Sequence, residues 1–302
     1  MKTRKGQSNN QTLRLIKKLR RVSLISVLIT LSILIFACNR TLNNPEELEQ
    51  FPFSPTKTLI QETSDWWHPA PGLTWQWQLA DLPVDTSVNA DVFDLDLFDT
   101  NPEIIIELHS KGRKVICYIS VGSREDWRSD AEQFPTQVLG NEYDGWPGET
   151  WLDIRQIDRL APIMRARLDL CKLAGFDAVE PDNIDIHDND TGFEISYDDQ
   201  LVYARWLADE AHSRGLAIGI KNAPDMVADS MGFFDFAITE DAFEYGWIGE
   251  MLPFINSGKP IFAAEYSDTD VDFKSACKWG KINNVGFILK NRELDKYREV
   301  CP

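Results

Sequence analysis

Short β-rich runs alternate with helical patterns along the chain from residue 74 to the C-terminus. Eight runs are predicted to be strands: 74–78, 92–96, 114–120, 176–180, 216–221, 234–239, 260–265 and 285–289. Helices are predicted between and after them at 101–111, 157–173, 197–213, 247–257, 271–280 and 292–299. Strands that alternate with helices form a parallel sheet, so the pattern predicts an α/β fold.

The number of units favours a closed sheet over an open one. Eight units in about 230 residues fit a (β/α)8 TIM barrel better than a doubly wound sheet, because no glycine-rich phosphate loop follows the first strand. In such barrels the chemistry is built where strands end and βα loops begin. Polar residues at the strand ends are therefore the first candidates for a site.

Residues 1–37 have the pattern of a signal peptide. Residues 1–37 contain eight Lys or Arg and no acidic residue, and the basic residues come before an apolar run at 22–37. The sequence IFAC at 35–38 resembles a bacterial lipobox, in which Cys38 would receive acyl chains. The alternative is an uncleaved anchor, although sixteen apolar residues are fewer than the roughly 20 that span a bilayer.

Both interpretations place the rest of the chain outside the cytoplasm. We expect an exported, membrane-anchored lipoprotein, in which residues 38–68 carry the lipid on Cys38 and serve as a tether. Residues 69–302 are then the folded domain. The sequence does not distinguish the inner from the outer membrane.

The charge of the chain argues against nucleic acid as a partner. The formal charge is −17, and the 265 residues after the signal segment hold 23 basic and 48 acidic residues, which gives −25. Such a surface repels phosphates and favours a cationic or neutral ligand. A solvated acidic surface that only maintains solubility is the alternative explanation.

Four cysteines follow Cys38, and an exported chain can join them as disulfides. We favour a Cys277–Cys301 bond, because it would attach the chain end to the last helices. Cys117 lies in a strand pattern and Cys171 in a helix, so we expect both to be buried thiols. The spacing of cysteine and histidine indicates no structural zinc, and we expect no cofactor.

Carboxylates are concentrated at the end of the fourth strand, in the sequence GFDAVEPDNID at 175–185. Burying this many acidic groups costs stability, so function explains them better than structure does. Glycosidic cleavage uses one carboxyl to protonate the leaving oxygen and a second as nucleophile or base. Asp182 is our candidate for one of them, with Asn183 and Asp185 as candidate substrate-binding residues.

The sixth strand offers the second carboxyl. Glu240 lies where this strand ends, and Glu244 follows four residues later. Because strand ends of a barrel surround one mouth, either glutamate could face Asp182 across it.

Other strand ends contribute candidates for holding sugar rings: Trp77, Asp96, Tyr118, Lys221 and Tyr266. An indole such as that of Trp77 either stacks on a sugar or packs the barrel. Lys221 either orients a carboxylate and lowers its pKa or forms an ion pair without a catalytic part. The segment 124–154, with DGWPG at 144–148, is too aromatic for a flexible linker and is predicted to be a binding loop.

Histidine and acidic residues after the fourth strand also permit a metal hypothesis. His187 with Asp182, Asp185 and Asp188 could bind a divalent ion, because oxygen and imidazole ligands suit such ions. Their spacing matches no specific metal motif, so we assign no metal ligands.

Several motifs resemble those of glycoside hydrolase family 114, the endo-α-1,4-polygalactosaminidases. They are WQWQL at 75–79, DLDLFD at 94–99, CYISVGS at 117–123, DGWPG at 144–148, WLDIR at 151–155, GFDAVEPDNID at 175–185, NDTGF at 189–193 and ILKNREL at 288–294. The resemblance covers residues 69–302. It implies a (β/α)8 barrel that hydrolyses α-1,4-linked galactosamine in a partly deacetylated, cationic exopolysaccharide of the kind found in biofilms. It also implies that Asp182 and Glu240 are the catalytic pair.

The chain departs from the family pattern near two of these positions. Relatives usually read Asn-Glu-Gln-Cys around the strand-six glutamate, where this chain has Thr239, Asp241 and Ala242 beside Glu240. Relatives also often carry Asp after Lys-Asn in strand five, where this chain has Ala223. The resemblance therefore implies one disulfide fewer and altered contacts with the substrate.

Our first hypothesis is an endo-acting glycoside hydrolase that works through two carboxylates on a galactosamine-containing polysaccharide. A rival hypothesis is a polysaccharide-binding lipoprotein on a barrel that has lost catalysis, since fold alone does not establish activity. A third is a metal-assisted carbohydrate hydrolase or deacetylase, which a chelator would inactivate.

Overall fold

The computed structural model describes residues 66–302. The predicted signal peptide, Cys38 and all but the last three residues of the predicted tether lie outside this range. Within the described residues, no helix is both long and apolar enough to cross a membrane.

All eight predicted strands are present. They form a parallel series in sequence order, and a short C-terminal strand is added at its edge. The bounds are β1 Trp75–Trp77, β2 Val92–Asp96, β3 Lys114–Ser120, β7 Ala178–Asp182, β8 Ala217–Lys221, β9 Phe236–Glu240, β10 Ile261–Tyr266, β11 Gly286–Lys290 and β12 Glu299–Val300.

The sheet curls until its first and eighth parallel strands meet, so the (β/α)8-barrel prediction is confirmed. At this seam, Trp75 Nε1 of β1 donates to the backbone oxygen of Gly286 in β11 at 3.1 Å. The seam also includes β12, which pairs antiparallel with β11. Gln76 Nε2 donates to the backbone oxygen of Lys296 at 3.2 Å, which attaches β1 to the segment before β12.

The barrel interior has an apolar lower part and a polar upper part. Side chains alternate along a strand, so every second residue points inward. The interior apolar cluster consists of Trp75, Trp77, Val92, Ile116, Ala178, Ala217, Phe236, Ile238, Phe262, Ala264 and Ile288. Two or four residues after these positions, the same faces of β3, β7, β8 and β9 carry Tyr118, Glu180, Asp182, Lys221 and Glu240. The polar groups therefore collect at the carboxyl ends of the strands.

The helices pack on the outside of the sheet and differ widely in length. They are α1 Pro102–Ser110, α2 Ile157–Ala174, α3 Tyr197–Ser213, α4 Val227–Ser230, α5 Leu252–Asn256 and α6 Phe273–Asn283. Gly175 ends α2 in the left-handed conformation, with φ of 100°. The buried residues of α2 and α3 join the larger apolar cluster between sheet and helices.

The prediction of a helix at 292–299 is wrong. Lys290 Nζ donates to the backbone oxygens of Asp295 at 2.7 Å and Tyr297 at 2.5 Å, and Leu294 has a positive φ of 51°. These contacts capture carbonyl groups that a helix would use internally. The segment instead turns and ends in β12.

A second sheet is inserted after β3, in the segment predicted as a binding loop. Its three antiparallel strands are β4 Ser123–Glu125, β5 Leu139–Glu142 and β6 Glu149–Leu152, in the order β4-β6-β5. The buried residues Trp151, Leu152 and Ile154 belong to the main apolar cluster. This small sheet is therefore fixed to the barrel as a rigid wall.

Two tryptophans close the opposite, amino-terminal end of the barrel. Trp66 stacks on His212 with ring centroids 4.0 Å apart and donates from Nε1 to Asp235 at 3.1 Å. Trp67 packs against the lower interior cluster, 6.4 Å from the ring of Phe236. The tether predicted from the sequence thus reaches the barrel at the end away from the strand termini that carry the polar groups.

Residues 66–302 contain two disulfides. The predicted Cys277–Cys301 bond connects α6 to the chain end. The prediction of buried thiols at Cys117 and Cys171 is wrong, since the two are bonded across 54 residues. The bond joins β3 to α2, and it formed because α2 packs over β3 and places the two positions 6.0 Å apart at Cα.

We predict that the Cys117–Cys171 bond is a major contributor to stability. Closing a loop of this length lowers the entropy of the unfolded chain, which corresponds to about 4 kcal/mol. In a variant with Cys277→Ala and Cys301→Ala, a reducing agent should therefore still lower the unfolding temperature of the 66–302 domain. Thermal unfolding with and without dithiothreitol measures this, and an unchanged temperature would contradict the bond.

Candidate active site

The carboxyl ends of the strands surround a cleft of about 420 Å³. At its floor lies the buried ammonium group of Lys221, from the end of β8. Lys221 Nζ contacts Asp182 at 2.7 Å, Glu180 at 2.8 Å and Glu240 at 3.0 Å. The contacts with Asp182 and Glu180 are hydrogen bonds donated by Lys221, and the contact with Glu240 is an ion pair.

The contacts of Lys221 decide its protonation state. Burial alone would lower its pKa, but the carboxylates of Asp182, Glu180 and Glu240 raise the pKa well above its ordinary value. Lys221 is therefore a fixed positive charge. Its Nζ also lies 4.7 Å from the ring centroid of Trp77, which is almost fully buried below it.

Asp182 ends β7 and is held by two donors. Lys221 Nζ binds one of its oxygens, and Tyr118 Oη donates to the other at 2.9 Å. Register places Ser120 of β3 opposite Asp182, so Tyr118 and Asp182 rise from neighbouring strands into the same face of the mouth. The side chain of Asp182 is 19% exposed, which leaves it open to a ligand in the cleft.

Glu240 ends β9 and is held by a wider set of groups. Tyr266 Oη of β10 donates to one oxygen, and Lys221 Nζ contacts the other. Asn222 donates from Nδ2 to Glu240 Oε2 at 3.3 Å and accepts the backbone N–H of Glu240 at 3.0 Å. Asn222 has a positive φ of 51°, a conformation that asparagine tolerates better than most residues. This turn directs its amide to Glu240.

The inserted sheet brings a further carboxyl to the cleft, which the sequence analysis did not predict. Glu149 of β6 accepts a hydrogen bond from Ser123 Oγ of β4 and one from Asn183 Nδ2 at 3.3 Å. Burial raises the pKa of Glu149 to about 7, although the Ser123 bond opposes the shift. Asn183 also donates to Ser120 Oγ and Ser123 Oγ, each at 3.1 Å, so it connects the barrel to the inserted sheet.

Asp96 lines the cleft, but both of its oxygens are bound by Arg128. Arg128 NH1 donates to Asp96 Oδ1 at 2.9 Å, and NH2 donates to the other oxygen. The same guanidinium contacts Glu125 at 2.8 Å. Asp96 therefore fixes Arg128 and the start of the inserted sheet.

Asp185, beyond the end of β7, differs from Asp96 because no basic side chain of the described residues pairs with it. It lines the cleft, and no ion pair to it is found among residues 66–302. Burial, reinforced by the charge of Asp182, raises its pKa to about 6. At neutral pH Asp185 is thus an ionised carboxylate that a cationic ligand could neutralise.

Aromatic side chains form the rim of the cleft above the carboxylates. Trp127 and Trp146 are 54% and 51% exposed, and Tyr143 lies beside Trp146 with ring centroids 6.5 Å apart. Exposed rings of this kind can cover the apolar face of a sugar. All three come from the inserted sheet and its loops.

Two groups singled out in the sequence lie outside the cleft. Glu244 follows β9 in a turn, where its backbone N–H donates to Glu265 Oε2 at 3.1 Å. His187 contacts Asp225 at 3.0 Å and Asp188 at 3.4 Å. The cluster that includes His187 therefore contains Asp225 and excludes Asp182 and Asp185.

Comparisons with known proteins identify the family. The model of Glycoside-hydrolase family GH114 matches residues 56–302, which is most of the chain. The chain belongs to family GH114. A solved structure of Aspergillus fumigatus Ega3 in complex with galactosamine is 37% identical, covers 78% of this chain and 97% of its own, and superimposes with a TM-score of 0.74. As a member of this family, the chain is a glycoside hydrolase.

Two further relatives are more distant. The glycoside hydrolase domain of PelA from Pseudomonas aeruginosa is 14% identical, covers 75% of this chain and 98% of its own, and has a TM-score of 0.59, so it supports the fold. An uncharacterized protein of Deinococcus radiodurans is 26% identical over 242 residues, covering 70% of this chain and 77% of its own.

We predict that Lys221→Met strongly destabilises this GH114 barrel. Removing the ammonium leaves Glu180, Asp182 and Glu240 without their shared counter-charge, which should lower the unfolding free energy by about 3–5 kcal/mol at pH 7. The folded-state pKa of Lys221 lies above its ordinary value of 10.5, so its contribution is complete at neutral pH. The loss should shrink toward pH 5, as carboxyls of the variant take up protons. Urea unfolding at both pH values measures it.

Lys111→Met is the matched control, because Lys111 forms an exposed pair with Glu107 on α1. Its effect should stay below about 0.5 kcal/mol at either pH. Equal effects of the two substitutions would contradict the role of Lys221.

Proposed function

We propose that this protein is an endo-acting glycoside hydrolase that cleaves an α-1,4-linked, galactosamine-containing polysaccharide. Asp182 and Glu240 would act as the two carboxyls of the reaction. The observation that carries the proposal is the position of this pair, at the ends of β7 and β9 on either side of Lys221 Nζ. Both side chains remain partly exposed in the cleft.

We propose that the reaction retains the anomeric configuration. Both carboxylates contact one nitrogen within 3.0 Å, so the two oxygens that contact it lie no more than about 6 Å apart, a limit that admits the separation of a retaining enzyme. Retaining enzymes have carboxyls about 5–5.5 Å apart, and inverting enzymes need about 6.5–9.5 Å to admit a water. One of the pair would therefore attack the anomeric carbon while the other protonates the leaving oxygen, and water would release the sugar.

Charge in the cleft supports an amino-sugar substrate. Acidic lining residues outnumber basic ones, and Arg128 and Lys221 are already engaged by carboxylates. Asp185 is one acidic group that could receive a protonated amine, since it lines the cleft and no ion pair to it is found among residues 66–302. Ega3, at 37% identity, was solved with galactosamine. The α-1,4 linkage is proposed from the family resemblance.

Export and lipid attachment at Cys38 stay predictions from the sequence. Trp66 and Trp67, where the described chain begins, pack at the end of the barrel opposite the cleft.

We predict that Asp182→Asn and Glu240→Gln each lower the rate of polymer cleavage by about 10²- to 10⁴-fold, because each removes one partner of the carboxyl pair. The measurement is reducing-end release by the 39–302 fragment from partly deacetylated α-1,4-galactosaminogalactan, with a fully acetylated polymer for comparison. The deacetylated polymer should be the better substrate, because its amines carry charge.

Glu244→Gln is the control for this assay, since Glu244 lies outside the cleft, and its rate should equal that of the parent. A chelator should have no effect. A folded parent that binds the polymer without releasing ends would indicate the binding-protein alternative. Inactivation by chelator, reversed by a divalent ion, would indicate the metal-assisted alternative.

The proposed retention of configuration predicts the α-anomer as the first product. Proton NMR during the first minutes of cleavage distinguishes it from the β-anomer before mutarotation. Initial release of the β-anomer would show an inverting reaction and would contradict direct attack by a carboxylate.

A further inference from the structure

A second buried acid lies below the catalytic pair, and the proposed reaction does not use it. Asp94 is in the middle of β2, fully buried, and opposite Trp77 in the register of β1 and β2. Like Asp94, Glu180 of β7 is fully buried and points into the barrel interior, and its charge acts on Asp94. The charged groups that face this acid pair are Asp182 and Lys221.

The buried carboxyls of Asp94 and Glu180 have too few hydrogen-bond donors. Neither oxygen of Asp94 receives an N–H or O–H from another group of the described chain, and Glu180 Oε2 also receives none. Lys221 supplies none to these three oxygens, because its Nζ donates to Glu180 Oε1 and Asp182 Oδ1 and forms an ion pair with Glu240 Oε2. A buried carboxylate without a donor is strongly disfavoured.

One proton on the pair removes this conflict. If Asp94 is a neutral carboxylic acid, its O–H has an acceptor in Glu180 Oε2, and Glu180 then has a donor at each oxygen. We propose that Asp94 stays protonated at neutral pH and is a positioning residue, which holds Glu180 as a single carboxylate turned toward Lys221. This inference rests on the proposed function for its link to catalysis.

The consequence of the shared proton is the position of the ammonium group. With Asp94 neutral, the pair carries one negative charge, and Lys221 Nζ is divided between it and the two carboxylates of the mouth. With Asp94 ionised, the pair would carry two charges and would draw Lys221 down, away from Asp182 and Glu240. Burial, reinforced by the charge of Glu180, raises the pKa of Asp94 well above its ordinary range, in agreement with the donor count.

The first test needs no substrate. Unfolded Asp94 is ionised at neutral pH, so folding must take up one proton. The unfolding equilibrium constant of the parent should therefore rise with pH more steeply than that of Asp94→Asn, by about tenfold per pH unit between pH 5 and 7. In the variant the amide N–H replaces the O–H and needs no proton. Asp270→Asn, at an exposed position, should keep the parent's slope.

The second test measures the link to catalysis. Asp94→Asn should keep kcat within about threefold at neutral pH, and its activity should persist at alkaline pH, where the parent loses the shared proton. Asp94→Leu, which has no donor, should lower kcat at least about tenfold with little change in KM. A role in packing alone would leave the pH profiles of the parent and Asp94→Asn identical.

The outcomes separate this proposal from the proposed function. If Asp94→Asn shows the same slope as the parent, Asp94 is ionised in the folded state and the shared proton is overturned. If the slopes differ but Asp94→Leu keeps the parent's kcat and pH profile, the positioning role is overturned. If the parent cleaves no galactosamine polymer, the proposed function fails, while the unfolding slopes still decide the protonation of Asp94. Should Asp94→Leu fail to fold, Asp94→Asn alone decides both points.

Discussion

A single buried ammonium group organises the active end of this barrel. Lys221 Nζ contacts Glu180, Asp182 and Glu240 within 3.0 Å, and these acids come from β7 and β9, the strands on either side of β8. Each carboxylate would be costly to bury alone, and together they would repel one another. The ammonium offsets both the cost of burying the carboxylates and their mutual repulsion. It also limits the distance between the two carboxylates that the reaction is proposed to use.

The rest of the fold keeps that group in place. The lower interior is filled by apolar side chains, so the inward-facing polar residues lie in the upper half of the barrel, from Asp94 and Glu180 up to the strand ends. Tyr118, Tyr266 and Asn222 then supply the donors that Lys221 cannot, since each binds one of the two mouth carboxylates. The inserted sheet adds the aromatic rim without disturbing the barrel, because its own core is continuous with the main cluster.

Local pattern predicted the barrel and much of the site because both depend on short-range periodicity. The eight strands follow from β-rich runs, and Asp182, Lys221 and Glu240 are brought together because parallel strands end at one mouth. Contacts made across the chain were not predictable in this way. Glu149 reaches the cleft only through the inserted sheet, and Cys117 meets Cys171 only once α2 has packed on β3. Residues 292–299 have a helical pattern, but Lys290 binds two of their backbone carbonyl oxygens and the segment is not helical.

In the proposed reaction, the chemistry takes place between Asp182 and Glu240, above Lys221. A crystal structure of the Glu240→Gln variant with a bound galactosamine oligosaccharide would show where the glycosidic bond lies. We predict that an anomeric carbon lies between residues 182 and 240, with a ring amine near Asp185 and sugar faces on the Trp127 and Trp146 side. An oligosaccharide whose glycosidic bonds all lie away from Asp182 and residue 240 would contradict it.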